Sequence, residues 1–416
     1  MKLSKFGNRF SGHSGIVQLM DDLGNAMSEN PDMLMLGGGN PAHIPAVQEV
    51  FQHRVAEILE KKSEINAVLG NYDGPAGSVK FRENLAVLLK DQFGWELTKE
   101  NICLTHGSQS AFFTLMNMFA GECENGKKQK ILLPLIPEYI GYADQGLSDD
   151  FFASYKPVID IVGDNTFKYR VDFDSIEVTE EIGAICVSRP TNPTGNVLTD
   201  SEVEKLDAMA QKHGIPLIID NAYGLPFPDI IFEDAKPVWN ENIILCMSLS
   251  KLGLPGARTG IIVANKEVVK AVSNISSILS LAPGSIGAGI ATGLVASGEI
   301  LKISQEIIKP YYQQKSLKAI EWLHRELKGL DYYVHKSEGA LFLWVWFKGL
   351  PISSYELYER LKKRNVLVVS GHYFYPGLED TDWQHSHECL RLTYSMDEKV
   401  VEEAIKIIAD EVRSLY

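Results

Sequence analysis

The chain has 416 residues, 45% of them apolar, and a net charge of −14 at pH 7. That length suits one large domain and a smaller one, and the ordinary apolar content excludes extensive disorder. The acidic balance excludes a nucleic-acid surface, and the longest apolar run, residues 340–347, is far too short to span a bilayer.

Residues 1–15 carry two lysines and an arginine but no apolar segment, so no signal peptide is expected. Cys103, Cys123, Cys186, Cys246 and Cys389 are scattered, without a C-x-x-C pair, and read as reduced thiols. A soluble cytoplasmic protein is expected.

From about residue 100, short apolar runs alternate with amphipathic stretches. Residues 101–105 read as a strand and 108–120 as a helix; 130–135 and 183–188 are the next strands. Over 200–213, Val203, Leu206 and Ala210 recur at helical spacing, and Gly214 follows as a stop. Residues 215–219, 243–247 and 260–264 complete the series. Strands apolar on both faces and mostly joined by helices predict an α/β fold, with a mostly parallel sheet flanked by helices.

After about residue 295 the texture becomes α+β. A helical stretch over 297–328, with Pro310 inside it, precedes a strand-rich piece at 332–347. A helix over 353–363, strands at 366–369 and 389–394, and a helix from residue 397 follow. The expected division is a large domain over 46–295 and a small domain over 1–45 and 296–416. No linker separates them, so close packing is expected.

In open parallel sheets, ligands lie beyond the carboxyl ends of the strands. Gly107-Ser108, Asn192, Asp220 and Lys251 each occupy such an end and would face one crevice. A lone lysine in a turn is ordinarily a solvated surface group. Desolvated near a cation such as Arg258, however, it loses its proton and becomes a nucleophile. Asp220, after Pro216-Leu-Ile-Ile219, could cap a helix or hold a ring nitrogen protonated. Tyr223 and Asn192 could donate to a phenolic oxygen.

Gly107-Ser108-Gln109, at a strand–helix junction, offers backbone amides to a phosphate, although it is equally a good helix cap. Ser248 and Ser250 add hydroxyls, and Arg258 adds a guanidinium fork. Arg391, inside Glu388-Cys-Leu-Arg-Leu-Thr-Tyr394, either snorkels to solvent or clamps a substrate carboxylate. Tyr139 is a candidate aromatic plate or a core tyrosine. Together these groups match what pyridoxal 5'-phosphate requires of a protein. Gly37-Gly-Gly39 lacks a dinucleotide context, and His385 and His387 lack a third metal ligand.

The set Asn192-Pro-Thr-Gly195, Asp220-x-x-Tyr223, Ser248-x-x-Lys251 and a distal Arg391 resembles the fold-type I pyridoxal-phosphate aminotransferases over essentially the whole chain. Four stretches look like their bacterial valine–pyruvate branch: Met35-Leu-Gly-Gly-Gly-Asn-Pro41, Asn71-Tyr-Asp-Gly-Pro-Ala-Gly77, Pro137-Glu-Tyr-Ile-Gly-Tyr142 and Ser188-Arg-Pro-Thr-Asn-Pro-Thr-Gly195. The resemblance implies a sheet of the seven-stranded type and a homodimer with sites at the subunit interface. Tyr72 would reach the phosphate of the neighbouring subunit's cofactor, and Gly39 would present its amide to the substrate carboxylate.

The implied reaction is ping-pong transfer of an amino group between L-valine, or a similar small aliphatic amino acid, and pyruvate. Lys251 would be the general base, and Ile16 is a candidate lining of the side-chain pocket. A methylene in such a pocket discriminates by only about 1–3 kcal/mol. Lys251 and Arg258 are seven residues apart, one fewer than in many relatives, so a tighter turn is expected. Two other readings stay open on the same scaffold. One is elimination, as in C–S lyases and aminocyclopropane-carboxylate synthases. The other is an effector domain of a transcription regulator, which would need a DNA-binding module that the pattern starting near residue 35 does not accommodate.

Overall fold

The computed structural model describes residues 2–12, 14–30, 32–378 and 382–416. Its central sheet has eight strands. They are β1 Ile102–Thr105, β2 Gly121–Glu122, β3 Lys128–Leu133, β4 Phe152–Ser154, β5 Ile182–Ser188, β6 Leu217–Asp220, β7 Ile243–Ser248 and β8 Gly260–Val263. The order is β1-β8-β7-β6-β5-β3, with β2 and β4 both paired to β3. Strands β3 to β7 pair in parallel, whereas β8 is antiparallel to both β7 and β1. The expected sheet type is present: seven longer strands and a two-residue edge strand, β2.

Burial explains why these strands are legible as apolar runs. Every residue of β1, β5, β7 and β8 is buried, so neither face requires polar alternation. Strand β3 stops at Leu133 because Pro134 has no N–H to continue the ladder. The helix Asp200–His213 has the expected bounds, because Thr199 and Glu202 form a capping box and Gly214 turns left-handed at φ 66°. Among the described residues no single helix is long and apolar enough to cross a membrane.

The stretch expected as one long helix over 297–328 is interrupted. Gly298 takes a left-handed conformation after the helix Ile286–Ala296, and the helix Glu299–Ile303 and a π-turn at Ser304–Ile308 follow. Pro310 then sits in the first turn of the helix Lys309–Glu326, where its missing N–H costs no intrahelical bond.

A second sheet of six strands runs in the order Val369–Ser370, Cys389–Thr393, Phe342–Phe347, Tyr332–His335, Thr166–Arg170 and Val158–Gly163. The last two form a hairpin that leaves the chain between β4 and β5. It joins the C-terminal strands through a parallel pairing of Thr166–Arg170 with Tyr332–His335. The N-terminal segment is drawn in similarly, Leu34–Met35 pairing in parallel with Val366–Leu367. Both sheets therefore send loops toward the carboxyl ends of β5, β6 and β7.

Close packing of β5 on the end of the helix Ser108–Phe119 leaves no room for a side chain at Gly183. A Cβ there would lie 1.6 Å from the Phe119 carbonyl oxygen. Gly183→Ala should therefore cost about 3 kcal/mol of stability. Gly214→Ala, left-handed but with nothing within 4 Å, should cost only about 1 kcal/mol. Urea unfolding of the two variants checks the ordering.

Candidate active site

Strands β5, β6 and β7 end side by side, with Ser188 opposite Asp220 and Asp220 opposite Cys246. Lys251 follows β7 by three residues. Its Nζ donates to the Gly39 carbonyl at 2.5 Å and lies 5.3 Å from the centre of the Tyr223 ring. Burial, reinforced by the Arg391 and Arg258 guanidiniums, brings its pKa down to about 8, while Asp220 pulls weakly the other way.

Asp220 is held at both oxygens. Oδ2 accepts from the Tyr142 hydroxyl at 2.6 Å and Oδ1 from the Ala222 N–H at 3.0 Å. Burial raises its pKa, and the Tyr142 and Ala222 bonds together with Lys251 oppose that rise. Tyr223 is buried on the Lys251 side, packed edge-on against Phe342.

Arg391 projects from the six-stranded sheet into the same crevice. Nη1 donates to Asn192 Oδ1 at 2.9 Å and Nη2 to the Gly37 carbonyl at 2.6 Å. Its guanidinium lies 4.3 Å from the Phe342 ring centre and 5.3 Å from that of Phe374. Burial lowers its pKa to about 10, and its buried Nε has no partner among the described residues. Because Asn192 accepts through its oxygen, its amide hydrogens stay available as donors.

At the start of the helix Ser108–Phe119, Gly107 has φ 83° and no side chain caps the first amides. Arg258 fills the space a side chain would need, since a Cβ at Gly107 would lie 2.4 Å from Nη2. Arg258 itself is left-handed at φ 47°, following a 3-10 turn over Pro255–Ala257. This conformation costs about 1–2 kcal/mol. Ser248 Oγ accepts from the Ser250 N–H at 3.0 Å, which ties the turn that carries the lysine.

Two sequence candidates behave differently from their neighbours. The Gln109 side chain donates to the Gly141 carbonyl at 3.2 Å. It therefore supports the turn of Tyr139 and Tyr142, whose rings stand perpendicular at 5.5 Å, and only its backbone faces the helix start. Tyr72 is 88% exposed, outside the crevice formed by one chain. Ile16 is half-buried on the helix Gly15–Glu29, which packs against Ile140–Tyr142. Sequence reasoning missed Tyr142, Gly37, Phe342 and Phe374. Only the Tyr139-x-x-Tyr142 spacing, one helical turn, was a usable signal.

The residues fit pyridoxal phosphate on their own geometry. An amine whose pKa is brought down to about 8 lies within electrostatic range of a carboxylate that makes no ion pair among the described residues. An uncapped helix start flanked by a guanidinium suits a phosphate, and the unpartnered Arg391 Nε suits an incoming carboxylate.

The aminotransferase class I and II family profile matches residues 31–408. The valine–pyruvate aminotransferase of Escherichia coli (strain K12) is 51% identical over 416 residues, covering 100% of this chain and 99% of that protein. The solved valine–pyruvate aminotransferase of Salmonella typhimurium LT2 aligns at TM-score 0.88 and 50% identity, over 96% of this chain and 99% of that one. A solved chain from Psychrobacter arcticum 273-4 aligns at TM-score 0.97 and 48% identity, over 100% and 99%.

In the cofactor-free protein, the reactivity of Lys251 toward an amine reagent should rise with a midpoint near pH 8 rather than 10.5. Arg258→Gln removes a cation that disfavours the ammonium, so the midpoint should move upward. Because the folded pKa lies below the unfolded one, stability should rise with pH between about 8 and 10.5 and be flat below that window. Peptide mapping of the labelled lysine across pH checks the midpoint.

Proposed function

Because this chain belongs to the class I and II aminotransferases, which work with pyridoxal phosphate, we propose that it moves the α-amino group between L-valine, or a similar small aliphatic amino acid, and pyruvate. The products are 3-methyl-2-oxobutanoate and L-alanine. The carrying observation is the Lys251 amine on the Gly39 carbonyl, desolvated and acted on by Arg391, Arg258 and Asp220 so that its pKa falls to about 8. Identity of 51% over the full length to a transaminase favours transfer over elimination.

The cofactor, when bound, supplies an aldehyde for attachment of the amino group and a ring that withdraws electrons from the α-carbon. Lys251 Nζ takes the α-proton as general base and returns it on the other side of the transfer. Asp220 would hold the ring nitrogen protonated, and Tyr223 and the Asn192 amide would donate to the phenolic oxygen. The Ser108 and Gln109 amides, Gly107, Ser248, Ser250 and Arg258 would hold the phosphate. Tyr139 would supply an aromatic plate against the ring.

Arg391 binds the substrate carboxylate, its orientation set in advance by Asn192 and the Gly37 carbonyl, with the Gly39 amide beside it. The cations acting on Lys251 are Arg391 and Arg258, one for each anionic group already assigned. That charge count suits a substrate with one carboxylate and an apolar side chain, lined in part by Ile16. Amino donor and oxo acid share one site, so 3-methyl-2-oxobutanoate leaves before pyruvate enters.

The proposal includes a homodimer in which Tyr72 reaches the phosphate site of the second copy. Ile278, Leu279 and Leu281 are 85, 61 and 66% exposed, a concentration of apolar surface that suits burial against another chain. It also includes a cytoplasmic site of action, in keeping with five free cysteines.

Mixing holoenzyme with single amino acids and following loss of the cofactor's visible band tests the substrate. Valine, alanine and 2-aminobutyrate should discharge the band, and aspartate should not; rapid discharge by aspartate alone would overturn the reading. Lys251→Ala should abolish both the band and turnover. Arg391→Lys should raise KM for valine at least tenfold, by loss of a bidentate fork worth about 1.5–3 kcal/mol, with cofactor retained. Sedimentation should return twice the 46.3 kDa chain mass.

A further inference from the structure

One buried acid near the site has no part in the reaction described above. Glu138 is 1% exposed. Its Oε1 accepts from the Ser188 N–H at 2.9 Å, and its Oε2 lies 2.5 Å from the Ser188 hydroxyl. The Ser188 Oγ is 3.5 Å from the Tyr142 hydroxyl, which donates to Asp220 Oδ2 at 2.6 Å. Glu138, Ser188, Tyr142 and Asp220 therefore form one file ending on the carboxylate of β6. The file is anchored at both ends. Ser188 lies directly opposite Asp220 on the adjacent strand, and the Glu138 N–H donates to the carbonyl of Phe374, whose ring lies over Arg391.

The direction of the hydrogens follows from the charge on Glu138. An anionic Glu138 would accept the Ser188 hydroxyl's hydrogen bond and leave the Tyr142 oxygen with no donor behind it. Two carboxylates would then be ionised in one dry region, and among the described residues no cation is an influence on Glu138 that would offset that. Burial is the largest influence on this group and brings its pKa to about 8; Asp220 adds to the rise, and the Ser188 bonds and the Tyr139 N–H oppose it. A neutral Glu138 reverses the file. Its Oε2–H donates to Ser188 Oγ, Ser188 turns its own hydrogen toward Tyr142, and Tyr142 donates to Asp220. Each hydrogen then points toward the Asp220 anion, and the bonds polarise one another in that sense.

We propose that Glu138 is a positioning residue that stays protonated and, through Ser188, holds the Tyr142 hydroxyl as a donor to Asp220, so that of the two neighbouring carboxyl groups Asp220 alone carries the charge. The proposal rests on the reading of Asp220 as the partner of the cofactor's ring nitrogen. Gln reproduces the neutral acid: its oxygen still accepts from the Ser188 N–H and its Nε2 still donates to Ser188 Oγ. Ala interrupts the file at its start, Ser188→Ala in its middle and Tyr142→Phe at its end.

Infrared difference spectra of holoenzyme at pH 7, wild type minus Glu138→Gln, should contain the carbonyl stretch of a protonated carboxyl group. The pH midpoint of the bound cofactor's visible band should rise by about one unit in Tyr142→Phe. A ring nitrogen that yields its proton to Asp220 withdraws fewer electrons, which makes the attached nitrogen more basic. Glu138→Ala and Ser188→Ala should move the midpoint the same way, and Glu138→Gln should leave it in place. Absence of the carboxyl band overturns the proposal, as does a Glu138→Gln midpoint displaced as far as that of Glu138→Ala. Should Glu138→Ala fail to fold, an unchanged midpoint in Ser188→Ala overturns it equally. The aminotransferase reading is tested separately by whether a visible band exists in wild type and vanishes in Lys251→Ala.

Discussion

A lysine whose pKa is brought down to about 8 is the constraint around which this site is arranged. An ammonium in a crevice is disfavoured first by loss of water and then by nearby positive charge. Both act on Lys251, where Arg391 and Arg258 disfavour the ammonium and Asp220 opposes them. The two arginines therefore do two things each. Each offers a fork to an anion, and each keeps the amine between them in the form that can react. The cost appears locally, in a left-handed Arg258 whose guanidinium occupies the space beside Gly107.

The same economy explains why the two sheets meet where they do. Arg391 belongs to the six-stranded sheet, but its fork is set by Asn192 from the central sheet and by Gly37 from the N-terminal segment. The loop carrying Asn192 is in turn fixed by a buried ion pair between Lys168 and Glu338. Lys168 donates to the Val197 carbonyl at 3.1 Å, and Glu338 accepts from the Val197 N–H at 3.0 Å. A buried pair of this kind stabilises little by itself, because desolvation offsets most of the attraction. Its value here is geometric. It locks the hairpin that contributes Lys168, the turn that contributes Glu338 and the loop after β5 into one arrangement.

Much of the site was readable from residue order alone. Asp220 and Lys251 stand at the ends of runs that are buried on both faces, so the end of the run and the end of the strand coincide. The helix Asp200–His213 was readable to the residue because its capping groups, Thr199, Glu202 and Gly214, are themselves local. Other parts left no local trace. Val158–Gly163 and Thr166–Arg170 carry no periodicity that announces a partner at Tyr332–His335. The interruption at Gly298 and the π-turn at Ser304–Ile308 were hidden inside a continuous helical pattern.

The amino-acid sequence by itself determined the chemical inventory: an amine, a carboxylate, donors, a phosphate cradle and a guanidinium, with the amine and the carboxylate following apolar runs and Arg391 inside one. Apolar runs and capping residues act over a few positions, so their consequences can be read without knowing what lies across the fold. The tertiary structure decided which of those groups are dry and what they face. Glu138 is an ordinary acid in the chain and becomes a buried partner of Ser188 only when strands far apart in sequence come together. Protonation states are set by burial and by neighbours in space, and neither is encoded in the spacing of residues along the chain.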